Sequence, residues 1–424
     1  MKKVVVFGPG PRFKGGIAHF TTSLCIALHD AGADVTLVSW SRQYPSIIPR
    51  DFEDKASKSD VFEGRKIAIH YLADFNLPAT WKKTADFIAS QNPHLVIFQW
   101  AIALQGLPMG RMAKQLKRKS PLTEILFDVH NVVQKEGGRL DRFFTRNALE
   151  KADSYVVHGQ ITIDEFTQLL PEVNVRISSD GKRAQRTKTM IQLFHPVYDM
   201  FRPVADFDVE AFKKEMGLHK NVFLFFGFIR KYKGLHLAIK AFSEVIKTYP
   251  DCSLLIVGES FWDTVDHRSF SVRLKKLLFR IAGSILLRKK DQEKEYRPLE
   301  LIKLLGIESH VCLINRFVPN EEVYRYFQVS DAVINFYEYA TPSGVESIAY
   351  NFGKPILATP VGHFKHAIKD GINGYLAESG EVKNLTEVIE RFIENPVEES
   401  SVRTFASQQS WEKYAQALLN EEKF

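Results

Sequence analysis

Two carboxylates and three cations occupy positions where a chain of alternating strands and helices would expose them near one another. Glu338 and Glu346 flank a helix start in DAVINFYEYATPSGVESIAYNFGKPILATPVG (331–362), and Arg230, Lys231 and Lys233 fill the turn GFIRKYKG (227–234). Residues 332–336 read as a short apolar strand, 344–352 as a helix and 355–358 as the next strand, which makes a βαβ unit. Amides at such a helix start lack intrahelical partners and attract anions beyond the carboxyl ends of the strands. A carboxylate beside an anion would repel it, so Glu338 and Glu346 fit there as acceptors for neutral hydroxyls next to a phosphate. That is the chemistry of a nucleotide sugar. Cations at 230–233 would favour a diphosphate leaving group as its charge develops, at roughly 1.5–3 kcal/mol for each charge-assisted bond.

Each motif also has a purely structural reading. Ser343-Gly-Val-Glu346 has the form of a capping box, in which Ser343 caps the Glu346 amide and Glu346 reaches back to Ser343, worth roughly 1 kcal/mol. The basic turn would equally be stable as a solvated loop. Both readings stay open on the motifs alone.

The elements that would hold these residues fall into two series. The first opens with a strand at 4–7, a loop rich in glycine and proline that includes Gly15 and Gly16, and a helix over 17–31 with Ile17, Phe20, Leu24 and Leu28 on one face. Further strands are expected at 34–39, 67–72, 95–98, 125–129 and 154–158. HPVYDMFRPVADF (195–207) has two prolines and no period, and reads as a linker. The second series has strands at 222–226, 253–257, 311–314, 332–336 and 355–358, with helices near 234–248, 298–305, 321–329 and 344–352. A closing helix over 407–424 could pack on either half. Alternation of this kind gives α/β domains built on doubly wound parallel sheets. The expected division is 1–200 on the acceptor side, 201–400 on the donor side and a C-terminal helix over 401–424, with the ligand in the cleft between the halves.

A chain of 424 residues, 45% hydrophobic and 25% charged, is long enough for two cores and is not disordered in character. Cys25, Cys252 and Cys312 lie far apart in apolar surroundings and read as buried thiols of a reducing compartment. The opening MKKVVVFGPG is too brief for a signal sequence, and no run approaches the ~18 apolar residues of a membrane span. The protein is therefore expected to be cytoplasmic, with peripheral membrane contact allowed. The net charge of +7 is concentrated in places. Residues 268–290 hold eight basic and no acidic side chains around an apolar stripe, which suits an anionic bilayer or a helix packed on its own domain with a solvated basic face. No Asp-x-Asp follows an evident strand and no ligands cluster at metal spacing, so neither a metal nor a separate cofactor is expected.

The Glu-x7-Glu spacing of Glu338 and Glu346, the SGV and GKPILATPVG runs, the Lys233-Gly234 turn and the Gly15-Gly16 loop together resemble glycosyltransferase family 4. So does DVHNVVQKEGGRLDRFFTRNALEKADSYVVHG (128–159), and the likeness spans nearly the whole chain. The resemblance implies the GT-B fold and transfer, with retained anomeric configuration, of a hexose from a nucleoside diphosphate sugar to a glycan or lipid-linked acceptor. It implies Glu346 on the donor ribose, Glu338 near the transferred sugar, Ser343 with the Gly344 and Val345 amides on the diphosphate, and Lys233 as phosphate ligand. Arg230 is displaced by two positions from the family's arginine, whose place holds Phe228. His130 matches a cleft histidine, Gly15 and Gly16 let backbone approach the reacting sugar, and Arg316, with Asn315 and Phe317, matches the region near the base. Competing readings are a sugar-nucleotide epimerase or hydrolase, and a silent nucleotide-binding protein. Nucleic-acid binding is not expected, because aromatic residues are not interleaved with the basic runs.

Overall fold

Stretches such as 4–7, 95–98 and 254–257 are apolar at consecutive rather than alternate positions, the pattern of strands covered on both faces. In the computed structural model of the protein, which describes residues 1–46, 48, 51–132, 138–260 and 296–423, these stretches form the centres of two parallel sheets. The first comprises β1 (Lys3–Phe7), β2 (Asp34–Arg42), β3 (Ala68–Asp74), β4 (Leu95–Trp100), β5 (Glu124–Val129), β6 (Ser154–Val157), β7 (Val175–Ser178) and β8 (Lys188–Gln192). Their order is β3-β2-β1-β4-β5-β6-β8-β7. The second comprises β9 (Asn221–Phe226), β10 (Cys252–Val257), β11 (Val311–Ile314), β12 (Ala332–Asn335), β13 (Ile356–Ala358) and β14 (Gly374–Leu376), ordered β11-β10-β9-β12-β13-β14.

Both sheets reverse direction of winding beside their first strand: β1 pairs with β2 and β4, and β9 with β10 and β12. The crevice at such a reversal is where ligands enter an open α/β sheet. It receives the loop after β1, with Gly15 and Gly16, and the turn after β9, with Arg230 and Lys233.

Helix α1 (Gly16–Asp30) covers one face of the first sheet, while α2 (Pro78–Ser90), α3 (Gly106–Lys119), α4 (Arg139–Leu149) and α5 (Gln160–Leu169) add Trp81, Met112, Leu149 and Phe166 to the core on the other. The closing stretch is two helices, Glu399–Ala406 and Trp411–Leu419, the second capped by Ser410, whose Oγ accepts from the Lys413 amide at 3.3 Å. This second helix returns to the first domain and packs on α1, with Trp411 and Tyr414 at 4.9 and 5.8 Å from the Phe20 ring.

One glycine fixes how the basic turn meets the helix after it. Gly234 has φ +66°, and a Cβ there would stand 1.8 Å from the Phe336 carbonyl oxygen. The left-handed conformation alone costs a non-glycine residue roughly 1–2 kcal/mol, and the clash is with backbone. Gly234→Ala is therefore expected to destabilise the protein by at least about 2 kcal/mol, read as a drop in thermal midpoint. An unchanged midpoint would refute this geometry.

A cleft site built on two sides of one helix

The helix Gly344–Asn351 starts at the crevice because Ser343 caps it, its Oγ accepting from the Val345 amide at 3.3 Å. Successive residues on a helix point 100° apart, so Val345 and Glu346 face different walls.

On the Val345 side lies the basic turn. A Cβ on Gly227 would be 2.8 Å from Lys233 Nζ and 3.6 Å from Val345 Cγ2, so strand end, lysine and helix start converge on one point. Lys233 is buried, and that burial, followed by the neighbouring charge of Arg230, lowers its ammonium pKa to about 8. Neither influence is a carboxylate. A desolvated cation whose charged neighbour is another cation, beside amides without intrahelical partners, is prepared for an anion. The Arg230 guanidinium stands 5.5 Å from the Tyr232 ring. Glu338 belongs to the same turn: its amide donates to the Tyr232 carbonyl at 2.7 Å, and its half-exposed carboxylate lies 3.6 Å from His236 Nε2.

On the other side Glu346 does not make the reciprocal capping bond. Its Oε1 lies 3.4 Å from His363 Nε2, and its buried Oε2 has no hydrogen-bond partner among the described residues. The capping-box reading is therefore corrected: Ser343 caps alone, and the nearby imidazole draws the carboxylate off the helix end. Burial disfavours the His363 cation, but the Glu346 carboxylate outweighs it and raises that pKa. Glu346 opens on a cavity of about 400 Å³ shared between the domains, with His158, Gln160 and Thr162 on one wall and His363 and Lys369 on the other.

The linker ties these parts together. Tyr198 OH donates to the Gly16 carbonyl at 2.9 Å, and its ring would lie 2.9 Å from a Cβ on Gly344, so both glycine-bearing loops close on one tyrosine. Gly15, at φ +108°, leaves open space where a side chain would be. His195 Nδ1 is 2.7 Å from Ser347 Oγ, fastening the linker to the helix that carries Glu346.

His130 is buried, 4.5 Å from the Phe20 ring, with Nε2 2.8 Å from Gln99 Oε1. Burial dominates over the attraction of Asp128 and, with repulsion from His158, lowers its pKa to about 4, so the imidazole is neutral at physiological pH. The fold also gathers ligand atoms of Asp128, His130 and His158 within 4.8 Å, a cluster that sequence spacing hides because it joins the ends of β5 and β6. Its atoms already serve a hydrogen-bond network: His158 Nε2 to Asp128 Oδ1 at 2.8 Å, and Tyr414 OH to Asp128 Oδ2 at 2.9 Å.

The Arg316 guanidinium pairs with Glu322 and approaches Tyr326 OH. Beside it Lys14 of the first domain lies 4.8 Å from the Phe317 ring and 3.9 Å from Glu259 Oε2 of the second, linking the two. No sequence signal marks Lys14, since it lies in the loop of one domain and acts on the other. Among the described residues no helix is long and apolar enough to cross a membrane, and the basic segment 268–290 lies outside them.

A family model described as glycosyl transferases group 1 matches residues 206–417, half of the chain. Spore coat protein SA of Bacillus subtilis (strain 168) is 23% identical over 323 residues, 72% of this chain and 74% of the relative. A D-inositol 3-phosphate glycosyltransferase of Corynebacterium urealyticum is 24% identical over 276 residues, 61% of this chain and 57% of the relative. Among solved structures, Anabaena Alr3699/HepE in complex with UDP and glucose superposes with a TM-score of 0.64 at 15% identity, covering 98% of this chain and 97% of that one.

Proposed function

From the premise that the chain belongs to the glycosyl transferases group 1 family and is a nucleotide-sugar-dependent glycosyltransferase of GT-B fold, we propose that it moves a hexose to a hydroxyl of a glycan or lipid-linked acceptor, with retained configuration. The observation that carries this reading is Lys233, a buried ammonium accompanied by a second cation at the start of a helix. The match to a protein solved with UDP and glucose supports a uridine nucleotide as the first donor to try.

In this reading Lys233, Arg230, Ser343 and the amides of Gly344 and Val345 hold the diphosphate. Glu346 turns its unpartnered oxygen to donor hydroxyls, those of the ribose, and Glu338 meets the transferred sugar. His130 acts as a neutral hydrogen-bonding group near that sugar, Gly15 and Gly16 admit the acceptor, and the backbone around Arg316 borders the base. The bond from the anomeric carbon to the diphosphate breaks, a bond to the acceptor oxygen forms on the same face, and the acceptor proton passes to the departing diphosphate. Lys233 and the helix amides stabilise the negative charge that appears there.

The test is calorimetric titration with UDP, set against other nucleoside diphosphates. Lys233 is protonated at about pH 7, and bound diphosphate raises its pKa, so above about pH 8 each binding event must take up a proton. Affinity for UDP is expected to fall by up to about tenfold between about pH 7 and about pH 9. Proton uptake, seen by changing the buffer's ionisation enthalpy, is expected to accompany that fall. No binding of any nucleoside diphosphate would overturn the function, and a flat pH profile would overturn the role of Lys233.

A further inference from the structure

Helices α3 and α4 pack against each other on the outer face of the first sheet. Their buried sides are accounted for by Met109, Met112 and Leu116 of α3 and by Ala148 and Leu149 of α4. Their outward sides are unusual in two respects. Every exposed charged residue on them is basic: Arg111, Lys114, Arg118 and Lys119 on α3, the first three spaced i, i+3, i+7 and Lys119 paired with Asp86 of α2 at 3.0 Å, and Arg139 and Arg142 on α4. The only acidic residue of the two helices, Asp141, is turned to the helix start, where it accepts from the Gly138 amide at 2.8 Å. Beside the α4 arginines stand Leu140 and Phe143, one turn apart and 50% and 60% exposed.

A solvated basic face would explain the arginines and lysines but not a leucine and a phenylalanine standing out among them, since exposed apolar pairs are disfavoured in water. A nucleic-acid backbone would take up the cations and leave Leu140 and Phe143 without a purpose. A surface that is anionic at the headgroups and apolar just beneath them satisfies both sets of side chains. Lys82 and Lys83, exposed on the neighbouring α2, extend the cationic area.

We infer that the α3–α4 face docks on an anionic lipid bilayer, with Leu140 and Phe143 entering the headgroup region and the flanking cations resting on the phosphates. Helix α4 comes next in the chain after β5 and His130, so docking there sets the cleft mouth beside the membrane. This inference stands apart from the glycosyl-transfer reading, because lipid attachment is measured without turnover.

The experiment is flotation of the full chain with phosphatidylcholine vesicles, with and without phosphatidylglycerol. Co-flotation is expected only with phosphatidylglycerol present. A double Leu140→Ser/Phe143→Ser variant is expected to bind those vesicles at least about tenfold more weakly, and Lys114→Gln/Arg118→Gln to weaken by a similar factor. Both pairs are exposed, so unchanged thermal midpoints are expected and confirm folded protein. The Leu140 and Phe143 changes leave the basic segment 268–290 intact, so undiminished flotation of that variant overturns the assignment to this face. Absence of flotation with either vesicle overturns it as well. So does retention of single-stranded nucleic acid by wild type and variant alike while vesicles bind neither.

Discussion

Lys233→Met is expected to lower kcat/KM for the donor by about 10³-fold, while the thermal midpoint of the unliganded protein stays the same or rises. The two outcomes share one cause. Lys233 is desolvated, no carboxylate among the described residues offsets that burial, and the charge of Arg230 is set against it, so removing the ammonium relieves the resting fold of an unfavourable interaction. In the proposed mechanism the same removal takes a positive charge away from the place where the leaving group becomes negative. Methionine fills a comparable volume, so packing against Gly227 and Tyr337 persists. Lys233→Arg is not expected to restore activity, because a planar guanidinium is bulkier than the ammonium it would replace in this buried position and presents its donors in a fixed fork. Steady-state kinetics with a melting curve on the same preparation check the prediction. Near-normal turnover, or a collapse in stability, would overturn it.

Glu346→Gln is expected to reduce kcat/KM by about 10²-fold, chiefly through the donor KM, again with little effect on stability. A residue retained for capping would behave otherwise: its loss would lower the midpoint. Here Ser343 alone caps the helix, and one carboxylate oxygen is buried with no partner among the described residues, an unfavourable arrangement that a donor hydroxyl would relieve in the proposed complex. An amide keeps the shape and one acceptor but loses the charge that strengthens a bond from a sugar hydroxyl. Glu346→Ala should be the more damaging to turnover and the less informative about stability, since it also leaves His363 without its carboxylate. If Glu346→Gln lost several degrees of thermal midpoint and kept its donor KM, the carboxylate would be structural.

The architecture was legible because it follows from local patterns. Consecutive buried positions in β1, β4, β9 and β10 announced strands covered on both faces, and the alternation with helices left little choice of sheet type. Two of the elements that escaped have weak patterns. β7, VRIS, is an edge strand with Arg176 and Ile177 exposed, and β14 is three residues long. The Val382–Glu394 helix has a clear apolar stripe, Leu385, Val388, Ile389 and Phe392, and the periodicity was there to be read.

The site divides in the same way. The Lys233 turn and the helix start at Gly344 and Val345 are each local features whose residue types and spacing could be read, and the pairing of β9 with β12 brings them together. Tyr198, Lys14 and the Asp128–His158–Tyr414 network arise from contacts between residues far apart in sequence, His363 meets Glu346 from the next loop, and no local motif encodes any of them. Arg316 shows the converse. A position that fits by order along the chain has its guanidinium engaged by Glu322, which only the folded coordinates reveal.

The return of the Trp411–Leu419 helix to α1 bears on how the molecule can be divided. Tyr414, from the last turns of the polypeptide, hydrogen-bonds Asp128 in the interior of the first domain, and Trp411 covers Phe20. A fragment cut at the linker would lack its own lid, leaving an acidic group and an aromatic ring facing solvent. Anyone excising that half for crystallography or display would do better to graft the tail onto it, joining the end of β8 to Ser410 through a short spacer, than to stop where the first sheet stops.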